Sequence, residues 1–377
     1  MTSKERVHAT LEGRPVDRCP ITASYSQLYY PDHVEELTER PWWHVHRWMA
    51  MPPDEHAKLY REMHNKAPFE LVQPFGGPRE TADEVEYVER DGEPYRHDLK
   101  TGEWTKLTRN TSGFAYDYDA NQKRHINTLD EIAEKIPIPD WRQEIAAGRN
   151  GYIDAMVKEF GKEDFILSSG LVGTVWYCGA YVGQQNLLAM LVEEPKFVEA
   201  LSERITEMCI AKIRRVTAAG GDGIYIDDAT ATSDMISPAM YERFSLPYVK
   251  AMVNAIHECG HKAIVIYFGG VMDRLDLIAQ TGADGFMYEC DMKGYKNDTA
   301  EIARRVGDRM ALFSNIHPFE ALQNGTDEEL EAEIRRQVEA GRRARGFIIS
   351  TASPITPQTP LARVQKFFEL ARKIGKR

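Results

Sequence analysis

Short apolar runs with the composition of β-strands recur along the chain, and amphipathic helical segments separate most of them. Each run ends in polar or small residues, as a buried strand does where it meets a loop. Apolar strands that alternate with helices are typical of a parallel sheet with helices on its outside. The eight runs lie at residues 19–25, 69–73, 165–169, 223–228, 262–268, 285–290, 310–315 and 346–351.

Eight such units predict an α/β fold of the (β/α)₈ barrel type, and 377 residues are enough for one with insertions. A doubly wound open sheet is the alternative, but no GxGxxG motif follows the first strand. No low-complexity linker interrupts the pattern, so residues 1–377 are predicted to form a single domain with N-terminal insertions. The clearest helices are predicted at residues 195–219, 237–259, 327–345 and 361–374.

Residues 84–118 break the alternation of strands and helices. Asp91-Gly92 and Thr101-Gly102 are turn pairs between runs of alternating polarity, which favours hairpins. We therefore predict a β-meander inserted after the second strand and lying over one end of the barrel. The tryptophan-rich segment 42–48 (WWHVHRW) is predicted to be a helix or a lid.

The charge balance disfavours two classes of partner. The chain has 47 Lys and Arg against 58 Asp and Glu, a formal net charge of -11, so neither nucleic acid nor an anionic membrane is expected to bind. No run approaches the ~20 apolar residues that span a bilayer, and the N-terminal segment lacks the apolar centre of a secretory signal. Five scattered cysteines without CxxC spacing indicate free thiols, so a cytoplasmic location is expected.

The active site of such a barrel lies where the strands end. Asp228, Glu289 and His317 follow three strands and are expected to converge there. Two carboxylates and an imidazole suit a metal site, with zinc as one candidate, or a general acid–base group. Structural roles also stay open, since Asp227 or Asp228 suits a loop cap and His317 precedes Pro318 as a helix cap does. Glu289 is the strongest candidate, because an unpaired carboxylate is costly to bury.

Other polar and aromatic side chains at the strand ends are candidates for the reaction. Tyr267, at the end of the fifth run, is a further candidate catalytic residue. Aromatic faces suit a flat aromatic substrate or a methylammonium group. The candidates for substrate binding are Tyr25, Ser168, Trp176, Tyr225, Asp227, Asn315 and Ser353.

Five segments carry recognisable motifs: KERVHATLEGRPVDRCPI, DFILSSGLVGTVWYCGAYVG, GGDGIYIDDATATSDMISPAMYERFSLPYVKAM, MALFSNIHP and PITPQTPLARVQKFFELARK. Together they resemble the uroporphyrinogen decarboxylase superfamily, which includes the decarboxylase and the corrinoid- and coenzyme M-linked methyltransferases. The third segment matches its acidic end of strand four and the S-P-x-x-[FY]-x-x-F-x-x-P-Y helix. The resemblance extends almost from end to end and implies a (β/α)₈ barrel and a homodimer.

The departures from the family patterns narrow the activity that the resemblance implies. The decarboxylase has an R-Q-A-G-R loop after strand one that pairs with substrate carboxylates, whereas residues 23–33 (ASYSQLYYPDH) contain no arginine. The zinc-dependent thiol methyltransferases carry H-x-C after strand five and a cysteine after strand eight. The matching positions are Tyr267, Gly269 and Ser353, which are not good zinc ligands. Neither tetrapyrrole decarboxylation nor a coenzyme M-type activity is expected.

The remaining resemblance is to methyltransferases that demethylate methoxylated or N-methylated compounds, some of which use zinc with carboxylate and histidine ligands. We predict methyl transfer from a small methylated donor, for example an aryl methyl ether, to cobalamin on a partner corrinoid protein. Asp228, Glu289 and His317 would hold zinc or act as acid–base groups. The alternative is a corrinoid-independent lyase or decarboxylase that acts on a small carboxylated substrate through Asp228 and Tyr267, and a non-catalytic binding protein is the third possibility.

Overall fold

The computed structural model describes residues 1–75, 83–109, 123–292 and 294–376. Seven of its strands form one parallel sheet, and three form a separate antiparallel sheet. The strands within the described residues are β1 Leu71–Val72, β2 Val85–Arg90, β3 Glu93–Asp98, β4 Trp104–Lys106, β5 Phe165–Val172, β6 Gly223–Asp227, β7 Lys262–Tyr267, β8 Gly285–Tyr288, β9 Ala311–Phe313 and β10 Phe347–Ile348. The parallel sheet has the order β1-β5-β6-β7-β8-β9-β10.

The segment around Ile21 links the two edges of this sheet. Ile21 pairs with Ile349 in a parallel bridge, and the amide of Glu70 donates to the Ile21 carbonyl at 2.9 Å. The Glu70 carboxylate in turn accepts from the Ile21 amide at 2.8 Å and from Arg18 at 2.6 Å. The curved sheet with helices around it confirms the predicted barrel-type α/β fold, and the first predicted strand contributes a single bridge rather than a ladder.

The helices begin and end close to the sequence signals for them. Thr2 and Glu5 form a capping box at the start of the helix Ser3–Leu11, and Thr326 and Glu329 form one at the start of Asp327–Ala340. No helix in the described ranges is long and apolar enough to cross a membrane. The α-helices are α1 Ser3–Leu11, α2 Tyr29–Asp32, α3 Val34–Thr38, α4 His44–Ala50, α5 Pro53–Lys66, α6 Leu129–Lys135, α7 Trp141–Ala146, α8 Gly151–Phe160, α9 Thr174–Val182, α10 Gln184–Glu193, α11 Pro195–Thr217, α12 Pro238–Phe244, α13 Leu246–Glu258, α14 Leu275–Ala279, α15 Thr299–Val306, α16 Asp327–Ala340 and α17 Leu361–Ile374.

The predicted helix over residues 237–259 is two helices, α12 and α13, that meet at Ser245. Pro247 has no amide proton for the carbonyl four residues earlier, and its ring collides with that carbonyl in a continuous helix. Ser245 accordingly leaves the helical region, with φ -121° and ψ -58°. The break turns the Ser245 hydroxyl toward the end of β6.

The predicted meander is present as the antiparallel sheet β2-β3-β4. Asp91 and Gly92 both have positive φ at the first turn, as a tight hairpin requires. His46 of α4 stacks on Tyr87 of β2 at 5.6 Å between ring centroids, which places the sheet against the tryptophan-rich segment. Residues 110–118 of the predicted insertion lie outside the described part of the chain.

Side chains alternate across each barrel strand, so every strand contributes to two different apolar layers. One layer fills the barrel interior, and the other packs between the sheet and the outer helices. The interior layer consists of Val7, Leu11, Leu71, Phe165, Leu167, Tyr225, Ile264, Ile266, Met287, Ala311, Phe313 and Ile348, with Tyr25 and Phe268 packed against it. This alternation decides which residues at the strand ends face the mouth, the end of the barrel where its strands terminate.

Candidate active site

Asp227 is the acidic residue that β6 presents to the mouth. It follows Tyr225 by two positions and therefore lies on the same, inward face of the strand. The hydroxyl of Tyr25 donates a hydrogen bond to Asp227 Oδ2, and the Ala229 amide donates to Oδ1 at 2.9 Å. The Tyr25 ring stacks on Phe268 and meets Tyr225 edge-on, with ring centroids 5.7 and 5.2 Å apart. Asp227 thus lies beside an aromatic cluster.

The surroundings of Asp227 favour its protonated form. Removal from water raises the pKa of its carboxyl to about 6, although the hydrogen bonds from Tyr25 and the Ala229 amide act in the opposite direction. A carboxyl with a pKa in this range exchanges its proton near neutral pH, which suits a general acid. Asp227, which is predicted to bind substrate, therefore has the burial and the hydrogen bonds of a candidate for proton transfer.

Asp228 lies on the opposite face of the strand end and is fully buried. Its Oδ2 accepts from the Ser245 hydroxyl, and its backbone amide donates to the Ile266 carbonyl at 2.8 Å. Its Oδ1 has no hydrogen-bond partner and lies against Gly173, where a Cβ would overlap it. Burial raises the pKa of Asp228 to about 7, and the neighbouring Asp227 charge adds to the shift. Asp228 was predicted to face the mouth. Because side chains alternate along β6, it faces the helix layer instead.

Tyr267 is also turned away from the mouth. It belongs to the outer apolar layer, is fully buried, and places its hydroxyl 2.7 Å from that of Tyr241 in α12. Desolvation raises the pKa of Tyr267 well above its ordinary value. Tyr267 was predicted to be a catalytic residue because it lies at the end of the strand. This arrangement does not fit that prediction, since the inward residue at the end of β7 is Phe268.

Glu289, at the end of β8, is buried and held by two hydroxyl groups. Tyr295 donates to its Oε2, and Ser353 donates to its Oε1 at 3.4 Å. Desolvation, the larger cause, and the neighbouring Glu289 carboxylate both raise the pKa of the Tyr295 phenol. Glu289 and Ser353, two of the predicted site residues, are therefore brought together, and Tyr295 completes a second tyrosine–carboxylate pair.

His317 and Asn315, which follow β9, make contacts that stabilise the loops. His317 Nδ1 accepts from the amides of Phe319 and Glu320 at 3.2 and 3.1 Å, which caps the π-helix Pro318–Gln323. The Asn315 amide donates to the carbonyls of Glu289 and Asn297 at 3.3 and 3.0 Å. Its oxygen accepts from Thr299 and Gln337. Asn315 thus fixes the backbone at Glu289.

Zinc does not fit the residues that were predicted to hold it. Across residues 1–75, 83–109, 123–292 and 294–376, no three or more His, Cys, Asp or Glu side chains are grouped as a metal ion would need. Asp228 faces the helix layer, and His317 uses Nδ1 as a cap. A side chain at Gly269, where the thiol methyltransferase pattern has its cysteine, would overlap Thr232 and Asp234.

The other predicted binding residues are spread over different depths of the barrel. β5 continues to Val172, so Ser168 is not at its end and instead donates to the Gly220 carbonyl before β6 at 2.8 Å. Tyr225 is buried inside the barrel and accepts from Gln73 Nε2 at 2.9 Å. Trp176 lies in α9, just after β5, and contacts Tyr177 edge-on at 5.6 Å. Tyr225 is therefore beside Asp227, and Ser168 is toward the opposite end.

Three residues of this region were missed by sequence analysis: Tyr295, Asn297 and Ser245. The Asn297 amide donates to the carbonyls of Gly269 and Glu289, both at 2.9 Å, and its oxygen accepts from the Val271 amide at 3.1 Å. It thereby ties together the loops that follow β7 and β8. Ser245 had a signal, since Pro247 marks a helix break, whereas Tyr295 and Asn297 lie in a loop without a motif.

The profile of the family described as Uroporphyrinogen decarboxylase (URO-D) matches residues 124–374. The methylcobamide:CoM methyltransferase MtbA of Methanosarcina mazei is 24% identical to this chain over 98% of each protein. The uroporphyrinogen decarboxylase of Pseudomonas aeruginosa is also 24% identical, over 67% of this chain and 70% of its own length.

A solved structure has the same fold over nearly the whole chain. A methyltransferase from Methanosarcina mazei superposes with a TM-score of 0.69 at 19% sequence identity. The superposition covers 99% of both chains. It supports the barrel architecture over the full described length.

Proposed function

The chain belongs to the uroporphyrinogen decarboxylase family, and we propose that it is an O-demethylase-type methyltransferase. In this proposal the methyl group of a small aryl methyl ether passes to the cobalt of a corrinoid protein. Relatives of this chain are named as methyltransferases and as decarboxylases, so an enzyme is supported in either case. The residues of the mouth support the first of these two activities.

The observation that carries the proposal is the Tyr25–Asp227 pair beside aromatic rings. A neutral aryl ether needs a flat apolar surface for its ring and one proton donor for its oxygen. Tyr25, Phe268 and Tyr225 supply the surface, and Asp227 supplies a carboxyl that carries its proton up to a pH of about 6. Asp227 and Phe268 lie at the ends of barrel strands, where the active sites of this fold are found.

The proposed transfer is a displacement at the methyl carbon. A corrinoid on the partner protein would supply the electron pair for the new bond to the methyl carbon, and the carbon–oxygen bond would break. The oxygen keeps the bonding pair and takes a proton from Asp227, so the products are a phenol and a methylated corrinoid. Asp227, which Tyr25 holds in place, then regains a proton from solvent. Protonation of the leaving oxygen is worth a factor of roughly 10² to 10⁴ in rate.

The decarboxylase and thiol-transfer activities of the relatives fit this mouth less well. Residues 23–33 contain no arginine to pair with the carboxylates of a tetrapyrrole. Gly269 leaves no space for the side chain that a thiolate site would place there. The alternative of a lyase that uses Asp228 and Tyr267 requires two side chains that are fully buried on the outer face of the sheet.

The proposal is tested by anaerobic spectroscopy of cob(I)alamin mixed with the protein and a panel of donors. The panel contains methoxybenzene, methoxyphenols, trimethylamine and tetramethylammonium. We expect conversion to methylcob(III)alamin that depends on the protein and on a methoxyaromatic donor. Asp227→Asn should lower the rate at least 100-fold, whereas Glu320→Gln, which changes an exposed carboxylate near His317, should not.

Two outcomes would contradict the proposal. One is an absence of conversion with every donor by protein whose circular dichroism shows it to be folded. The other is release of carbon dioxide from small aromatic acids without any corrinoid, which would favour the lyase. Conversion with the ammonium donors alone would keep methyl transfer but replace the aryl ether by a cationic donor.

A further inference from the structure

A small cavity lies inside the barrel beside the Tyr25–Asp227 pair. Its walls are mostly apolar and come from several different strands, among them Leu71, Leu167, Ile264, Ile266 and Met287. The rest of the wall consists of Thr22, Ala23, Tyr25, Ser26, Gln73 and Tyr225, of which Tyr25 donates a hydrogen bond to Asp227. The free space is enough for about one water molecule. Because Tyr25 both lines this cavity and donates a hydrogen bond to Asp227, the cavity is one side chain away from the proposed position of the ether oxygen.

Tyr225 limits the size of the cavity, and its position depends on two neighbours. Its ring crosses β5 directly over Gly170, where a Cβ would overlap both the ring and the hydroxyl. Gln73 Nε2 then donates to the Tyr225 hydroxyl at 2.9 Å. The ring also meets Tyr25 edge-on at 5.2 Å. Glycine at position 170 is therefore what allows a residue as large as tyrosine to lie flat along this side of the interior.

We propose that the cavity is the subsite for the ring substituent of the donor, and that Tyr225 excludes donors whose substituent is larger than a methyl group. This inference rests on the proposed function for the identity of the donor. A closely packed apolar wall does not yield to an added methylene without strain, so the volume of the cavity limits the substituent. A pocket of this kind discriminates by a factor of roughly 10 to 200 for each methylene that it cannot hold.

The test measures equilibrium binding of two probes, phenol and 4-propylphenol, by isothermal titration calorimetry. Neither measurement needs a corrinoid. The wild-type protein should bind phenol at least tenfold more tightly than 4-propylphenol. Tyr225→Ala should reverse or abolish this preference, because removal of the ring opens the cavity to the propyl chain. Tyr225→Phe is the matched control, since it keeps the ring and removes the hydroxyl that accepts from Gln73, and it should keep the wild-type preference.

A second pair of variants covers the case in which Tyr225→Ala does not fold. Tyr225→Leu should shift the ratio of the two dissociation constants in the same direction, by at least threefold. Gly170→Ala should weaken 4-propylphenol more than phenol, because its methyl group pushes the Tyr225 ring into the cavity that the substituent would enter. Folding of each variant is checked by its thermal melt.

The inference is overturned if folded Tyr225→Ala or Tyr225→Leu keeps the wild-type ratio, or if neither probe binds to the wild type or to these variants. A failure of the proposed function looks different. In that case the size dependence of phenol binding would still change with Tyr225, but no methoxyaromatic donor would methylate cob(I)alamin. Binding therefore tests the cavity, and methyl transfer tests the reaction.

Discussion

The Tyr25 hydroxyl donates a hydrogen bond to Asp227, although 202 positions separate the two residues in the chain. Tyr25 has a left-handed backbone conformation, with φ 49° and ψ 46°, which is unfavourable for a residue with a bulky side chain. Unfavourable backbone geometry is concentrated at functional sites in many proteins. The contact joins the first segment of the barrel to β6, the third strand in the order of the parallel sheet, at the level where we place the reaction.

The first prediction concerns the pH dependence of methyl transfer. Burial raises the pKa of Asp227 to about 6, and the reaction uses the protonated form, so kcat/KM should fall about tenfold per pH unit well above pH 6. The Tyr25 hydrogen bond lowers this pKa, so Tyr25→Phe should move the fall in activity to higher pH. Asp227→Asn should be slow with no such fall. If Tyr25→Phe leaves the pH profile unchanged, the assignment of Asp227 as the proton donor is contradicted.

The second prediction concerns stability and Asp228. Its folded-state pKa of about 7 lies above the unfolded value of about 3.9, so ionisation destabilises the fold progressively as pH rises through this interval. Asp228→Asn retains an acceptor for Ser245 and has no charge to bury. The change in unfolding free energy from wild type to Asp228→Asn should therefore be more stabilising at pH 8.5 than at pH 5, by on the order of 3 kcal/mol. Urea denaturation at both pH values measures this, and equal effects would refute the burial argument.

The third prediction concerns Gly173, which packs against the unpartnered Oδ1 of Asp228. An added methyl group would overlap that oxygen, so Gly173→Ala should destabilise the protein by about 1 to 3 kcal/mol. Gly151→Ala is the control, because its nearest neighbour would be Pro53 Cγ at 3.4 Å, an ordinary contact. Chemical denaturation of the two variants should separate them clearly. Equal stability would mean that the space behind Gly173 is larger than this packing allows.

The fourth prediction assigns His317 to helix capping. Because Nδ1 accepts two backbone amides, His317→Ala should lower the unfolding free energy by roughly 1 kcal/mol. Its methyl-transfer rate should stay within a few-fold of wild type. His317→Asn offers a capping oxygen and should recover much of the lost stability. A rate loss of 100-fold or more in both variants would instead indicate that His317 takes part in the reaction.

The order of the barrel strands was predictable because each is an apolar run followed by polar residues and a helix. The seven strands of the parallel sheet all lie within or overlap their predicted runs. Boundaries were less certain where glycine interrupts a run, as Gly170 does in β5. That interruption led to Ser168 being placed at a strand end, although β5 continues to Val172.

The inward and outward faces of the strands were not predictable from this sequence. In β6 the run GIYIDD is apolar on both faces, because one face meets the barrel interior and the other meets the helices. Alternation therefore gives no signal for choosing between Asp227 and Asp228. The same ambiguity at β7 led to Tyr267 being assigned to the mouth, where Phe268 lies instead.

The most direct test of the account follows the phenol and the methylated corrinoid in one reaction. Protein, cob(I)alamin and methoxybenzene are mixed anaerobically at pH 6, and both products are measured over time for the wild type and Asp227→Asn. The account predicts equal amounts of phenol and methylcob(III)alamin, formed at least 100-fold faster by the wild type. Equal rates for the two proteins, or no products from either one when folded, would contradict it.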